Sequence, residues 1–185
     1  RYYFMNTVTV YTGPMKCGKT NNLIQDYNKL IHSNYRCSMF KPSIDNRFSL
    51  DAVTDRNNNS IEAININTLT DLYLYKDKYD IFFIDEFQFI NGSINTILNL
   101  RDQGKIFYIA GLNLTAERKP FGIINDVLCI ADKIVVLSGI CDICKTAPSI
   151  YTFCTEHKNT DILVGENMYI TVCSNCYNTL SRHTD

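Results

Sequence analysis

The sequence predicts an α/β protein in which helices cover both faces of a parallel sheet, with a small metal-binding subdomain at the C-terminal end. Three observations carry this prediction. An apolar strand, a glycine-rich loop and a helical pattern follow one another near the N-terminus, strand-length apolar runs alternate with helical patterns, and two Cys-x-x-Cys pairs follow residue 139. A chain of 185 residues can bury one such core with a small appendage.

The first strand, loop and helix form one motif. Residues 7–11 are rich in β-branched side chains, and the stretch "GPMKCGKT" at 13–20 matches the phosphate-binding pattern G-x-x-x-x-G-K-[ST]. Residues 20–33 carry apolar side chains at helical spacing. Because the strand and helix that this pattern requires are both predicted, the motif indicates a phosphate-binding loop.

Four positions of the loop have a defined chemical role. Gly13 and Gly18 allow backbone angles that turn successive N–H groups toward phosphate oxygens. Lys19 is placed to reach the β- and γ-phosphates, and the Thr20 hydroxyl is a ligand for Mg²⁺. The predicted phosphate-binding residues are Gly13, Pro14, Met15, Lys16, Cys17, Gly18, Lys19 and Thr20.

The remaining elements alternate as an α/β protein requires. We expect strands at 35–41, 60–66, 79–86, 105–113 and 133–139, an exposed turn at 55–61, and helices near 68–77, 93–104 and 122–131. Gly104 is the expected C-cap of the helix at 93–104. The strand "YDIFFIDE" is apolar on both faces, which is typical of a parallel sheet covered on both sides.

Two acidic residues follow that buried strand. Asp85 and Glu86 are expected at the carboxyl edge of the sheet, where the loop at 13–20 also lies. An acidic residue at this position is the usual partner of Mg²⁺ in such enzymes, and a second carboxylate can act as a general base. The pair therefore predicts a reaction centre beside the loop.

The cysteines predict a structural zinc site. Cys141 with Cys144 and Cys173 with Cys176 form two C-x-x-C pairs, whose four thiolates can surround Zn²⁺ as a tetrahedron. Two disulfides are the alternative, but no targeting segment indicates an oxidising compartment. The other four cysteines, at 17, 37, 129 and 154, are expected to be ordinary thiols.

Charge and hydropathy limit the choice of partners. With 18 Lys and Arg against 19 Asp and Glu, the net charge is −1, which does not indicate a nucleic-acid or membrane surface. The longest apolar runs have the length of strands, and residues 1–10 do not have the pattern of a signal peptide. We expect a soluble, cytoplasmic protein, located in the host cytoplasm if the source is a virus.

These motifs together resemble a known family. "GPMKCGKT", "DEFQF", "ERKPFG", "CDIC" and "YITVCSNC" occur in the order and at about the spacings of cytosolic-type thymidine kinases, which cells and large DNA viruses carry. The resemblance covers residues 7–177. It implies a P-loop (RecA-like) kinase core at 1–138 and a zinc-binding subdomain at 139–185, whose lasso loop covers the substrate.

The resemblance also implies a reaction and its residues. The γ-phosphoryl of ATP would pass to the 5′-hydroxyl of thymidine, in the salvage of deoxynucleosides for DNA synthesis. Thr20 and Asp85 would bind Mg²⁺, and Glu86 would be the base that deprotonates the 5′-hydroxyl. A homotetramer and feedback inhibition by dTTP are implied too. The implied substrate-binding residues are Met15, Asp55, Arg56, Gln88, Phe89, Leu112, Phe121 and Tyr169.

One segment departs from the family pattern "LDGTFQRKPFG". It reads "LNLTAERKPFG" here, so that Asn113, Leu114, Ala116 and Glu117 replace Asp, Gly, Phe and Gln. Phe87 also stands where the family commonly has Gly. These departures concern base and sugar contacts, and they leave the range of accepted nucleoside analogues open.

Two other functions are compatible with parts of the sequence. A motor-type ATPase would share the phosphate loop but would hydrolyse ATP with water. A zinc-ribbon nucleic-acid-binding module would share the cysteine pairs, although the segment after residue 139 has few basic residues. ATP turnover that depends on thymidine distinguishes the kinase from the first, and a salt-dependent DNA-binding assay tests the second.

Overall fold

The sheet of the computed structural model, which describes residues 7–44, 52–54, 59–155 and 168–182, has seven strands. They are β1 (Val8–Thr12), β2 (Cys37–Pro42), β3 (Ala52–Thr54), β4 (Ser60–Ile66), β5 (Ile81–Ile84), β6 (Ile106–Gly111) and β7 (Lys133–Val136). Their order is β3-β4-β2-β5-β6-β1-β7, and all neighbours run parallel except β3, which is antiparallel to β4. The predicted α/β fold with a parallel sheet is confirmed.

Within the described ranges, four α-helices and two 3₁₀ helices accompany the strands. The α-helices are α1 (Lys19–Leu30), α2 (Asn95–Asp102), α3 (Ile124–Ile130) and α4 (Ser174–Ser181), and the 3₁₀ helices are Leu69–Tyr75 and Phe87–Phe89. Gly104 follows α2 with φ 86°, and its N–H donates to Arg101 O at 2.9 Å, as expected of a residue that ends a helix. Among the described helices, none is long and apolar enough to cross a membrane.

The segment expected as a helix at 68–77 is a 3₁₀ helix rather than an α-helix. Leu69 and Leu72 are fully buried, three residues apart, and Tyr75 packs against the same cluster. A 3₁₀ helix has three residues per turn, so this spacing places all three side chains on one face. Thr68 and Asp71 close its first turn with a capping box.

Two apolar clusters cover the two faces of the sheet. In β5, Phe82 and Ile84 join one cluster, whereas Ile81 and Phe83 join the other. The first cluster includes side chains of α2, α3 and the 3₁₀ helix Leu69–Tyr75, and the second includes side chains of α1. Burial on both faces explains why β5 is a continuous apolar run.

The strand order fixes where functional segments meet. Strands β5, β6 and β1 are adjacent and parallel, so the segments that follow Ile84, Gly111 and Thr12 leave the sheet at the same edge. Loop 13–20 follows β1, the acidic pair follows β5, and Leu112 follows β6. Three distant parts of the chain are therefore brought to one edge.

The C-terminal part forms a small unit of two hairpins and a helix. Strand β8 (Gly139–Ile140) pairs with β9 (Pro148–Ser149), β10 (Tyr151–Cys154) pairs with β11 (Tyr169–Val172), and both pairs are antiparallel. Its core comprises Cys141, Val172, Cys173 and Tyr177. The sequence analysis predicted the cysteine pairs but not these short strands.

Candidate active site and metal centre

Loop 13–20 has the backbone that its glycines allow. Gly13 has φ 139°, and a Cβ built there would lie 2.2 Å from Leu137 O, so a side chain cannot fit without moving the backbone. Gly18 has φ 90° and immediately precedes α1. The twelve-residue helix α1 thus begins at Lys19, and its N-terminus carries the partial positive charge that favours a bound phosphate.

Two side chains of the loop have defined partners. Lys19 Nζ donates to Pro14 O at 2.7 Å, so the ammonium group lies across the loop rather than in solvent. Thr20 Oγ1 donates to Asp85 Oδ2 at 3.0 Å. The hydroxyl predicted to bind Mg²⁺ and the carboxylate predicted to bind it are therefore in direct contact.

Asp85 is a buried carboxylate at the end of β5. Its exposed fraction is 6%, and its backbone N–H donates to Phe40 O at 3.0 Å. Burial, and then the charge of Glu86, raise the pKa of Asp85 to about 7, although the Thr20 hydroxyl partly opposes this. A buried carboxylate with a raised pKa gains stability from a nearby cation. Carboxylate and hydroxyl oxygens are ligands that Mg²⁺ accepts, so this pair fits the metal.

Glu86 leaves the strand with an unusual backbone. Its φ is 48°, in the left-handed region, and the 3₁₀ helix Phe87–Phe89 begins directly after it. Positive φ is uncommon in residues other than glycine and recurs at active sites. The half-buried carboxylate accepts a short hydrogen bond from Gln88 Nε2.

Gln88 links this carboxylate to the end of β6. Its Oε1 accepts the N–H of Leu112 at 2.9 Å, and its side chain is buried. A backbone N–H can only donate, so the amide oxygen must face Leu112 and the NH₂ group must face Glu86. A Cβ at Gly122 would lie 2.5 Å from Gln88 O, so the segment before α3 encloses Gln88 closely.

Aromatic residues lie beside this group. Phe89 and Phe121 meet edge to face, with ring centroids 5.4 Å apart and an interplanar angle of 85°. Phe89 also lines a cavity of about 340 Å³ at the ends of β2 and β4. The carbonyl of Tyr169 accepts Lys16 Nζ at 3.3 Å, which places this predicted base-covering residue next to loop 13–20.

Six of the eight substrate-binding residues implied by the resemblance lie in three local groups near the end of the sheet. Met15 and Tyr169 lie at the loop, Gln88 contacts Leu112, and Phe89 contacts Phe121. Asp55 and Arg56 fall outside the described residues.

The segment that departs from the family pattern packs against α4. Leu114 and Pro120 form an antiparallel bridge, so residues between them make a tight turn. Tyr177 of α4 donates its hydroxyl to Ala116 O at 2.7 Å, and the Arg118 guanidinium lies 4.4 Å from the centre of the Tyr177 ring. The Arg118 guanidinium also lies 5.6 Å from the centre of the Tyr151 ring, so two aromatic side chains of the C-terminal unit contact this turn.

The four predicted metal ligands form one cluster. The sulfur atoms of Cys141, Cys144, Cys173 and Cys176 all lie within 4.8 Å of one another. Hydrogen bonds from Thr146 and from the Ala147 N–H lower the pKa of Cys144 to about 6, which favours its thiolate, whereas hydrogen bonding with Cys173 raises the pKa of Cys176 to about 12. None of these four cysteines forms a disulfide, so the disulfide alternative is not adopted. Four thiol sulfurs at this spacing fit Zn²⁺.

Sequence reasoning missed one residue of the site. The Thr152 hydroxyl, in β10, accepts the backbone N–H of Met15 at 3.0 Å. Thr152 has no motif around it, and 137 residues separate it from Met15. Only the folded arrangement of the two units shows the contact.

Comparison of the sequence with a family model and with known proteins points to one family. The thymidine kinase family model matches residues 6–177. A thymidine kinase of Pseudothermotoga lettingae is 32% identical, covering 96% of this chain and 98% of that protein. Thymidine kinase 1 of Dictyostelium discoideum is 30% identical, covering 92% of this chain and 77% of that protein. A vaccinia virus thymidine kinase is also 30% identical, over 92% of this chain and 96% of that protein. The resemblance stated from the motifs is confirmed, and the chain belongs to the thymidine kinase family.

Proposed function

We propose that this protein is an ATP-dependent thymidine kinase. It transfers the γ-phosphoryl group of ATP to the 5′-hydroxyl of thymidine, giving ADP and dTMP for the salvage of deoxynucleosides in DNA synthesis. Its membership of the thymidine kinase family supports this proposal, as do relatives of that name in bacteria, an amoeba and a virus.

One observation supports the reaction most directly. The Thr20 hydroxyl lies 3.0 Å from the buried carboxylate of Asp85, and Glu86 follows Asp85 in the chain. A phosphate loop, a cation-binding pair and a carboxylate that can act as a base are thus within one small region. Phosphoryl transfer needs this combination, because it depends on positioned oxygens and neutralised charge more than on covalent chemistry.

The donor side of the site consists of residues 13–20. Backbone N–H groups of the loop and the N-terminus of α1 bind the phosphates of ATP, and Lys19 moves from Pro14 O to the β- and γ-phosphates. Thr20 and Asp85 would hold the Mg²⁺ that accompanies ATP. When bound, Mg²⁺ neutralises charge on the phosphate oxygens.

On the acceptor side, Glu86 takes the proton of the 5′-hydroxyl as that oxygen attacks the γ-phosphorus. A bond forms from the 5′-oxygen to phosphorus while the bond from phosphorus to the bridging oxygen of ADP breaks. Gln88 directs its NH₂ group at Glu86 and so holds the carboxylate in place.

The nucleoside pocket follows from the family resemblance. Met15 and Leu112 line the side of the 5-methyl group, and Tyr169 covers the face of the base. Asp55 and Arg56 hold the sugar end, and Gln88, Phe89 and Phe121 lie beside the acceptor. The ring contact between Phe89 and Phe121 supports a shared apolar wall.

The C-terminal unit completes the proposal. Residues 1–138 form the kinase domain and residues 139–185 a subdomain in which Zn²⁺ on four cysteines anchors the lasso loop. The separate core around Cys141 and Tyr177 supports this division.

We further propose that the protein is a cytoplasmic homotetramer and that dTTP inhibits it. Cysteines that form no disulfide suit the reducing cytoplasm.

A coupled assay of ADP release tests the function. Wild-type protein with Mg²⁺ and ATP is assayed with thymidine, deoxycytidine, deoxyadenosine, deoxyguanosine and no nucleoside, and product dTMP is measured directly. We expect turnover that requires thymidine. Glu86→Gln is expected to lower kcat by about 10² or more, since it removes the base but keeps the shape.

Glu62→Gln, at an exposed position of β4, is the matched control and is expected to retain wild-type turnover. ATP hydrolysis that proceeds equally without any nucleoside would contradict the proposed function. Near-normal turnover of a folded Glu86→Gln variant would contradict the role of Glu86 alone.

A further inference from the structure

The C-terminal unit holds loop 13–20 at its third residue. The backbone N–H of Met15 donates to Thr152 Oγ1 at 3.0 Å. Thr152 lies in β10 and is 6% exposed, so solvent competes little for this bond. The mechanism proposed above does not use Thr152.

A second contact joins the same two segments. Lys16 Nζ donates to Tyr169 O at 3.3 Å, and Tyr169 belongs to β11, the partner strand of β10. The backbone of Lys16 has φ 61°, in the left-handed region that residues with a Cβ avoid. Such a conformation persists when surrounding structure holds it, and the hairpin β10–β11 supplies contacts on both sides of this peptide.

The hairpin is itself fixed to the cysteine cluster. Thr152 is the register partner of Thr171, and β11 ends at Val172, immediately before Cys173. Thr171 N–H and Oγ1 both donate to Asp142 Oδ2, at 2.7 and 3.1 Å, which ties β11 to the first cysteine pair. The strand pair that contacts the loop is therefore itself held to the first cysteine pair by hydrogen bonds.

We propose that Thr152 is a positioning residue for ATP binding. Its hydroxyl fixes the Met15 N–H, and thereby holds loop 13–20 in the shape that receives phosphate. The inference rests on the proposed role of this loop in binding ATP. A loop fixed before binding loses less conformational entropy when the ligand arrives, and a buried N–H without an acceptor disfavours the shape that requires it.

Three variants test the proposal. Thr152→Val replaces the hydroxyl by a methyl group of similar size, and Thr152→Ser retains the hydroxyl. Thr171→Val makes the same change on the paired strand, where the hydroxyl contacts Asp142 and not the loop. Binding of Mg·ADP is measured by calorimetry without nucleoside, so that effects on the nucleoside pocket do not contribute.

We expect Thr152→Val to weaken Mg·ADP binding about tenfold, a loss typical of one buried hydrogen bond. Thr152→Ser and Thr171→Val are expected to remain within about twofold of wild type. In turnover assays, KM for ATP should rise in Thr152→Val with little change in kcat, because the bond acts on binding. Zinc content, measured by atomic emission, should not change in any variant.

A second measurement needs no variant. The chain has four methionines, so ¹⁵N-methionine labelling yields four backbone amide signals, and Met39 in the interior strand β2 is an internal standard. We expect the Met15 amide of the nucleotide-free protein to exchange with solvent at least about a hundredfold more slowly than an unprotected amide. Rapid exchange of this amide would overturn the proposal even if no Thr152 variant folds.

The outcomes separate this proposal from the function. If wild type binds no Mg·ADP, both are overturned. If wild type binds and Thr152→Val binds equally well, the positioning role is overturned and the kinase proposal stands. Equal weakening by Thr152→Val and Thr171→Val would assign the effect to general loosening of the hairpin, which also overturns the specific role of Thr152.

Discussion

Thr20 and Asp85 lie 65 residues apart in the sequence, yet the Thr20 hydroxyl donates a 3.0 Å hydrogen bond to Asp85 Oδ2. The bond joins the start of α1 to the end of β5 across the strand between them. It supplies a polar partner to a carboxylate that is buried and whose pKa is raised to about 7. The ionised Asp85 carboxylate therefore lowers the stability of the metal-free protein, although the proposed activity requires it to bind Mg²⁺.

The first prediction concerns Asp85→Asn. In the unfolded chain this carboxyl has its ordinary pKa near 3.8, and in the fold it has a pKa of about 7. The folded protein thus binds a proton that the unfolded chain releases, so wild-type stability falls, relative to the variant, as the pH rises from about 4 to about 7. Above pH 7 the metal-free variant should be more stable by about 4 kcal/mol, or about 10 °C in Tm.

Thermal unfolding in a chelator at several pH values, with activity in Mg²⁺, measures both effects. Activity of Asp85→Asn should fall by about 10² or more, because a neutral amide is a poor ligand for Mg²⁺. Asp102→Asn, at an exposed position of α2, serves as the control. A variant that is less stable than wild type at pH 8 would contradict this account of Asp85.

A second prediction uses the fixed orientation of Gln88. Gln88→Glu keeps an oxygen for the Leu112 N–H but places a carboxylate beside Glu86 where an NH₂ group donates. Two carboxylates in contact disfavour the doubly ionised state, so the acidic limb of the kcat profile should move to higher pH by about one unit or more. At pH 7, kcat should fall about tenfold. Gln103→Glu, on the exposed end of α2, should leave the profile unchanged.

An unchanged profile in Gln88→Glu would show that Gln88 does not act on the base. A rise in thymidine KM without any shift in pH dependence would instead assign Gln88 to the nucleoside pocket.

The sequence predicted those parts of the site that are encoded in contiguous residues. Loop 13–20, the pair Asp85 and Glu86, and the cysteine cluster each follow from a short motif or from regular spacing. The meeting of loop 13–20 with Asp85 and Glu86 followed from the parallel sheet, because the carboxyl ends of parallel strands lie at the same edge.

Other features have no local signal. Strands β8 and β9 contain two residues each, and β3 contains three, too few to show an alternating pattern. The contact from Met15 to Thr152 depends on how two units pack, which neither segment specifies alone. The 3₁₀ helix Leu69–Tyr75 could be told from an α-helix only by the three-residue spacing of its buried leucines.

A third prediction concerns the metal. Cys173→Ser should lower zinc content below one per chain, since it removes one of four ligands. Thymidine KM should rise about tenfold as the anchor of the lasso loop weakens, and Mg·ADP affinity should fall as well, because β11 precedes Cys173 directly. Metal content and both affinities are measured together. The exposed Cys129, changed to Ser, is the control, and full zinc retention in Cys173→Ser would refute the ligand assignment.

A fourth prediction concerns Ala116. Its carbonyl accepts the Tyr177 hydroxyl, so a larger side chain at this position leaves that bond available. Ala116→Phe should tighten thymidine binding severalfold, since an aromatic contact contributes roughly 0.5–1.5 kcal/mol beyond its buried area. It should also reject thymidine analogues with bulky 5-substituents. The affinities are measured by titration with each nucleoside.

Glu117→Phe places the same ring at the exposed neighbouring position and should change neither affinity. If Ala116→Phe binds thymidine no better and excludes no analogue, Ala116 does not line the pocket.

The left-handed backbone of Glu86 has a consequence for laboratory evolution. Holding a residue with a Cβ at φ 48° costs roughly 1 kcal/mol, a strain that glycine would relieve. Selection for heat resistance alone does not preserve Glu86, since glycine relieves this strain at the expense of the hydrogen bond from Gln88 Nε2, and a protein with glycine here has no base. To obtain thermostable variants that remain active, each round of selection must also test for product formation. At position 86, stability and catalysis favour different amino acids.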